Sequence, residues 1–175
     1  MKFARLLVLL GAALYLAACA APADVGRMVV ITPASGSLAD PTMKGSIAVG
    51  SVTGGQETSP LWTSEVASED FASALAVSLG NRGLLAPTKP GAFTLDVNLN
   101  EMDQPLIGFD MTVTSHIAYS LVRNATQEAV LQETIVAPYT ATVGDAFLGV
   151  KRLQLANEGS VRENVRQFLD KLYKP

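Results

Sequence analysis

The chain has 175 residues, with 13 basic and 16 acidic side chains, one histidine, one cysteine and a formal net charge of −3. That length suits one domain with its own hydrophobic core, and an acidic balance without Lys/Arg blocks argues against nucleic-acid binding. A single cysteine excludes an intrachain disulfide and a thiolate metal cluster, so stability must come from packing.

Lys2 and Arg5 make a short positive region, Leu6 to Leu16 an apolar one, and small residues lead up to Cys19, which is the layout of a secretory signal. The apolar stretch is too short and wrongly flanked for a spanning helix. The run Leu16-Ala17-Ala18-Cys19 resembles the lipobox of bacterial lipoproteins. That resemblance implies cleavage between Ala18 and Cys19, a diacylglyceryl group on the Cys19 thiol and an acylated new amino terminus. These covalent chains are the only cofactor expected. One acyl chain gives marginal membrane binding, with a partition constant of about 10⁴ M⁻¹, whereas two or more hold stably. In the resembling family an Asp after the cysteine retains the protein at the inner membrane; Ala20 stands here, which implies the outer membrane and a domain facing the periplasm. The division expected is a signal peptide over 1–18, a lipid-anchored flexible tether over 19–43 and a periplasmic domain over 44–175.

The tether reading rests on Pro22, Gly26, Pro33, Gly36 and Pro41. Within it Met28-Val29-Val30-Ile31-Thr32 is β-branched, and the sequence leaves open whether it pairs as an edge strand. Ile47, Val49 and Val52 predict a first strand, ended by Gly54-Gly55 and a polar loop that carries Trp62. A helix is predicted from Ser68, with Ser68 as cap, Glu69 and Asp70 favoured by the helix dipole, and Phe71, Leu75 and Leu79 on its apolar stripe. Gly83 supplies the left-handed stop. Three strands follow: Phe93 to Asn100 in strict alternation, Met111 to Leu121 with Ser115 interrupting the inward row, and Val130 to Ala137 beyond an Arg123–Thr126 turn. Leu148, Leu153, Leu155, Val161, Val165, Phe168, Leu169 and Leu172 predict a covering helix, with Gly159 as a weak point or break. The order β-α-β-β-β-α is that of a single α+β domain, with helices packed on one face of an antiparallel or mixed sheet.

Residues that could carry chemistry are few. His116, the only histidine, falls on the polar face of its strand, and no nucleophile elbow or spaced carboxylate loop accompanies it. The chain is therefore read as non-enzymatic, with no catalytic residue and no metal ligand. The last 35 residues are basic on an otherwise acidic chain, which makes Arg162 and Arg166 either docking cations or members of a solvated helix face. Trp62 is either a binding anchor or a lid over the core, and Leu106, Ile107 and Phe109 form a second apolar cluster at a turn that carries Pro105 and Gly108. Exposed together, these loops would be a partner or acyl-chain site; buried, they are core.

The apolar spacing of Phe71 to Leu85 and Ala156 to Leu172 resembles that of small α+β envelope lipoproteins. Among them are the lipoprotein plug of the lipopolysaccharide translocon and the auxiliary lipoproteins of ABC-type intermembrane lipid transporters. The lipid anchor, the tether and the absence of catalytic residues point to an accessory or assembly role in an envelope protein complex, held at the membrane. The alternative is a periplasmic lipid- or glycolipid-binding module of a transport system, with the apolar face between sheet and helix opening to hold the lipid. No residue role transfers from the resemblance, and the oligomeric state stays open.

Overall fold

The computed structural model of the chain describes residues 20–59 and 64–174. In chain order its elements are α1 (Val25–Met28), β1 (Ser37–Leu38), a 3-10 turn (Pro41–Met43), β2 (Ile47–Thr53), α2 (Ser68–Asn81), β3 (Phe93–Asp103), β4 (Met111–Arg123), β5 (Glu128–Ala141), α3 (Gly149–Lys171) and β6 (Tyr173–Lys174). A mixed sheet runs β2-β3-β4-β5, and β1 and β6 form a separate antiparallel pair. Strands β2 and β3 are parallel, which the intervening α2 makes possible; β3, β4 and β5 form an antiparallel meander. Helix α2 packs on β2, and α3 packs on β4 and β5.

The alternation in the sequence explains which face is covered. Phe93, Leu95, Val97 and Leu99 of β3, with Val113, Ser115, Ile117, Tyr119 and Leu121 of β4, are all buried beneath the helices. The opposite face carries Asp96, Asn98, Thr112, His116 and Ser120 and is open to water. From α2 come Phe71, Ala74, Leu75 and Leu79, and from α3 Val161, Val165, Phe168 and Leu169; each fully buried large apolar side chain stabilises the fold by roughly 1.5–3 kcal/mol. Tyr119 stacks on Phe168, with ring centroids 4.3 Å apart.

Helix α2 stops where Gly83 takes a positive φ of 67°. Leu84 N–H reaches Leu79 O and Gly83 N–H reaches Gly80 O, the paired bonds that satisfy orphan carbonyls at a left-handed helix stop. Its start differs from expectation. Ala67 is the N-cap, and the Ser68 hydroxyl instead accepts from Gly55 N–H at 3.0 Å, tying the loop after β2 to the helix.

The largest correction concerns residues 20–43, which pack on the domain instead of forming a flexible tether. Ala20, Ala23, Met28, Val30 and Met43 are buried, the last four in the main core. Residues 28–32 are no edge strand: α1 ends at Met28, Val30 N–H donates to Ser78 Oγ, and Asn81 Nδ2 donates to Val30 O. Of the apolar residues read as strand-forming, Met28 and Val30 are buried against α2 and α3, Val29 is half-buried and Ile31 is exposed. Helix α3 also departs from expectation, because it is continuous through Gly159. A Cβ there would run into the Tyr139 ring, so the glycine marks a close helix–strand approach. Leu148 is the exposed N-cap of α3 and lies outside its buried stripe.

Candidate functional site

The polar residues inside α3 fix its position on the sheet. Ser160 Oγ donates to Ala137 O at 2.7 Å and accepts from Ser115 N–H at 3.0 Å. Asn164 donates to Ile135 O at 2.9 Å and Ser115 O at 3.1 Å, and its carbonyl accepts from Tyr119 OH at 3.0 Å. Burial pushes the Tyr119 phenol well above its ordinary range, so it remains a donor. Ser115, which interrupts the inward row of the sequence, is thus the sheet's half of a buried polar pin.

That pin sets the first turns of α3 against two loops at one end of the molecule. Arg152, itself buried, donates from Nη1 to the carbonyls of Phe147 at 2.7 Å and Ala146 at 2.9 Å, and from Nη2 to Gly108 O at 3.4 Å. It ties the β5–α3 loop to the β3–β4 loop. The β5–α3 loop is braced further by Asp145, whose carboxylate accepts from Thr142 N–H at 2.7 Å and Thr142 Oγ1 at 2.9 Å; those bonds hold it below the usual carboxylate range.

The tips of these two loops are apolar and turned to solvent. Leu106 is 93% exposed, Ile107 89% and Phe109 86%, and from the other loop Phe147 is 88% exposed, with Val143 and Leu148 also exposed. Scattered surface leucines are ordinary, but clustered large apolar side chains mark interaction sites. Of the two alternatives the sequence left open for Leu106, Ile107 and Phe109, core or surface, the structure shows surface, which makes them a candidate site. Phe147 and Leu148 escaped the sequence reading. Their signal was an apolar pair directly after the Gly144-Asp145 turn, masked because Leu148 fits the helical spacing that follows.

The chain's amino-terminal side reaches the same end. Ser64 Oγ donates to Ala21 O at 2.8 Å, Gln154 Nε2 donates to Pro22 O at 2.7 Å, and Asp24 N–H donates to Glu158 Oε1 at 2.9 Å. Ser64 O in turn accepts from Asn157 Nδ2 at 2.6 Å and from Gln104 Nε2 at 3.3 Å, which places Ala21 one residue removed from the β3–β4 loop. Glu158 is buried, and desolvation raises its pKa against the opposing Asp24 N–H bond and the cations Lys151 and Arg27. Trp62, Cys19 and the cleavage position at Ala18 lie outside the described residues.

Arg162 and Arg166 are engaged within the fold. Arg162 Nη1 donates to Arg27 O at 2.6 Å and its guanidinium lies 5.7 Å from the Tyr139 ring centroid, while Arg166 pairs with Glu163 and Asp170 on its own helix. They border a shallow groove of about 350 Å³ whose apolar wall is Val29, Val30 and Ile31. On the open sheet face His116 Nε2 lies 3.5 Å from Asp103, with Glu101 alongside, and the three offer ligand atoms within 4.8 Å of one another. The register shift after Leu99 brings Glu101 opposite His116, a placement the sequence alone does not contain. The same face holds a broad polar hollow of about 380 Å³ lined by Ser51, Asp96, Asn98, Ser120, Gln132 and Thr134.

No family model matches the chain, and no curated protein matches it. Among solved structures, the fold is similar to protein XCC0632 from Xanthomonas campestris, of the DUF330 family, with a TM-score of 0.55 at 10% identity over 79% of this chain and 92% of that one. It is similar to a lipoprotein candidate from Caulobacter crescentus, with a TM-score of 0.50 at 13% identity over 75% of this chain and 89% of that one. A PelC dodecamer from Paraburkholderia phytofirmans has a TM-score of 0.50 at 14% identity over 82% of this chain and 96% of that one. At these identities the likeness is one of fold.

Proposed function

We propose that the chain is a bacterial envelope lipoprotein, anchored through acyl chains on Cys19 and facing the periplasm from the outer membrane. It works without catalysis, as an accessory or assembly factor for an envelope protein complex. The observation that carries this reading is the seating of the residues that follow the lipobox. From Ala20 onward the chain is built into the domain by backbone and side-chain bonds, so an anchor at Cys19 joins directly to the folded body. The lipoprotein candidate from Caulobacter crescentus, which shares the fold, supports the same reading. So does the chemistry of the residues: His116 has an exposed carboxylate beside it, and the buried hydroxyls of Ser115 and Ser160, on the other face of the sheet, are spent on the α3 pin.

The accessory role is favoured over a lipid- or glycolipid-binding module because the layer between sheet and helices is filled. Tyr119 on Phe168, Phe71, Leu75 and Val165 occupy it at nearly zero exposure. Self-association is part of the proposal, since the PelC neighbour is a dodecamer and β2 and β5 here are edge strands.

The test is affinity purification of the tagged full-length chain from detergent-solubilised envelopes, with intact-mass analysis of the product. Acylated Cys19 and a stoichiometric second protein are the expected result. A Cys19 without acyl chains, or a product that turns over a substrate and loses that turnover on a point substitution, overturns the reading.

A further inference from the structure

The exposed apolar end of the molecule and the point where the anchor joins it coincide. A mobile tether of 24 residues would leave the domain roughly 25–30 Å from its anchor and free to turn any surface to the membrane. The chain has no such freedom after Ala20, which is 8% exposed, with Ala21 and Pro22 held by Ser64 and Gln154. Consecutive Cα atoms are 3.8 Å apart, so acyl chains on Cys19 leave the domain at this end. Leu106, Ile107, Phe109, Phe147 and Leu148 stand at the same end, on two loops cross-braced by Arg152.

We propose that these loop tips insert into the bilayer that holds Cys19, so that the protein sits on the membrane in one orientation with its β4–β5 hairpin directed away. The proposal rests on the anchoring reading above and adds the docking surface to it. The occupant is a lipid bilayer, because a surface joined to acyl chains meets lipid before any other partner. The driving force is apolar burial. Asp103, Asp110 and Asp145 flank the tips along the chain, and Arg152, the cation between the loops, is committed to backbone carbonyls. Seating therefore needs no anionic lipid and resists salt.

The acylated full-length chain reconstituted in phosphatidylcholine vesicles tests this directly. Acylation occupies the native thiol, so Ile107→Cys, Phe147→Cys and Thr126→Cys each carry a single fluorescent label. Thr126 is on the β4–β5 hairpin, roughly 40 Å along β4 from the loops. All three sites are exposed, so the fold tolerates the changes. A lipid-borne quencher is expected to act at least about fivefold more strongly on labels at 107 and 147 than at 126, with no loss in 0.5 M salt. Acylated protein whose three labels respond alike to aqueous iodide overturns the docking while leaving the anchor standing. Labels at 107 and 147 shielded from both quenchers overturn it in favour of a protein contact or a second copy. A mass without acyl chains overturns the anchoring reading and the docking with it.

Discussion

Asn164 shows how much of this fold depends on single buried polar groups. Its amide answers three backbone or phenol partners at zero exposure, between a stacked Tyr119 and the backbone of β4 and β5. Asn164→Ala leaves Tyr119 OH and Ile135 O without that partner, and a buried polar group left unmade costs more than a bond contributes. The expected loss is about 2–4 kcal/mol, read in urea as a lower midpoint at unchanged slope. Gln132→Ala, exposed on the open sheet face, should stay within about 0.5 kcal/mol by the same measurement. In the sequence Asn164 is one more polar residue, between Glu163 and Val165. Its role follows from Ser115 lying opposite, 49 positions away.

At the scale of elements, α3 and the 3-10 turn each respond to a partner distant in sequence. Glycine inside a helix costs about 1 kcal/mol relative to Ala, which is why Gly159 reads as a break. Across from it Tyr139 leaves no room for a methyl group. Gly159→Ala is accordingly expected to destabilise by about 1–3 kcal/mol, and the same change in a Tyr139→Ala background to be neutral or stabilising, a coupling that a double-mutant cycle measures. The turn Pro41–Met43 is held by Asp40, which accepts from Thr42 Oγ1 and pairs with Arg123 at the end of β4. The Thr42 hydroxyl, then Arg123, then Thr42 N–H lower the Asp40 pKa to about 2. The unfolded value is about 3.9, so the folded state binds this proton less readily. The contribution is full above about pH 5 and is lost as the pH falls toward 2. Asp40→Asn should therefore melt below the parent at neutral pH and converge with it near pH 2, as followed by Tm across that range.

For the whole molecule, the segment from Ala20 to Met43 acts as a strap whose buried residues couple the amino-terminal side to the body. Met28, the last residue of α1, is fully buried where α1 packs on α2 and α3, and the backbone of Val30 nearby bonds both Ser78 and Asn81. Met28→Ala removes most of that packing, with an expected cost of about 2–5 kcal/mol. Arg27 precedes it in α1, so loosening the strap should also accelerate tryptic cleavage after Arg27, measured as a cleavage rate beside the parent protein.

The amino-acid sequence by itself determined the elements with strong periodicity. The alternation of Phe93–Leu99 and Met111–Leu121 dictates strands with one apolar face, and Phe71-Leu75-Leu79 closed by Gly83 dictates α2, because local backbone chemistry and burial agree there. It also supplied the resemblance of Leu16–Cys19 to a lipobox, a local pattern, and the apolar Leu106–Phe109 cluster. Only the tertiary structure decided whether that cluster is core or surface, since the answer depends on Arg152 carrying a second loop to Gly108. The strap was illegible for the same reason. Proline and glycine in residues 22–41 weaken any local pattern, and what orders them is non-local: Met28 and Val30 against two helices, and Ser64 and Gln154 on the backbone at 21 and 22. A chain reads out its periodic faces locally, whereas contacts between positions separated by 40 to 130 residues exist only once the fold has brought them together.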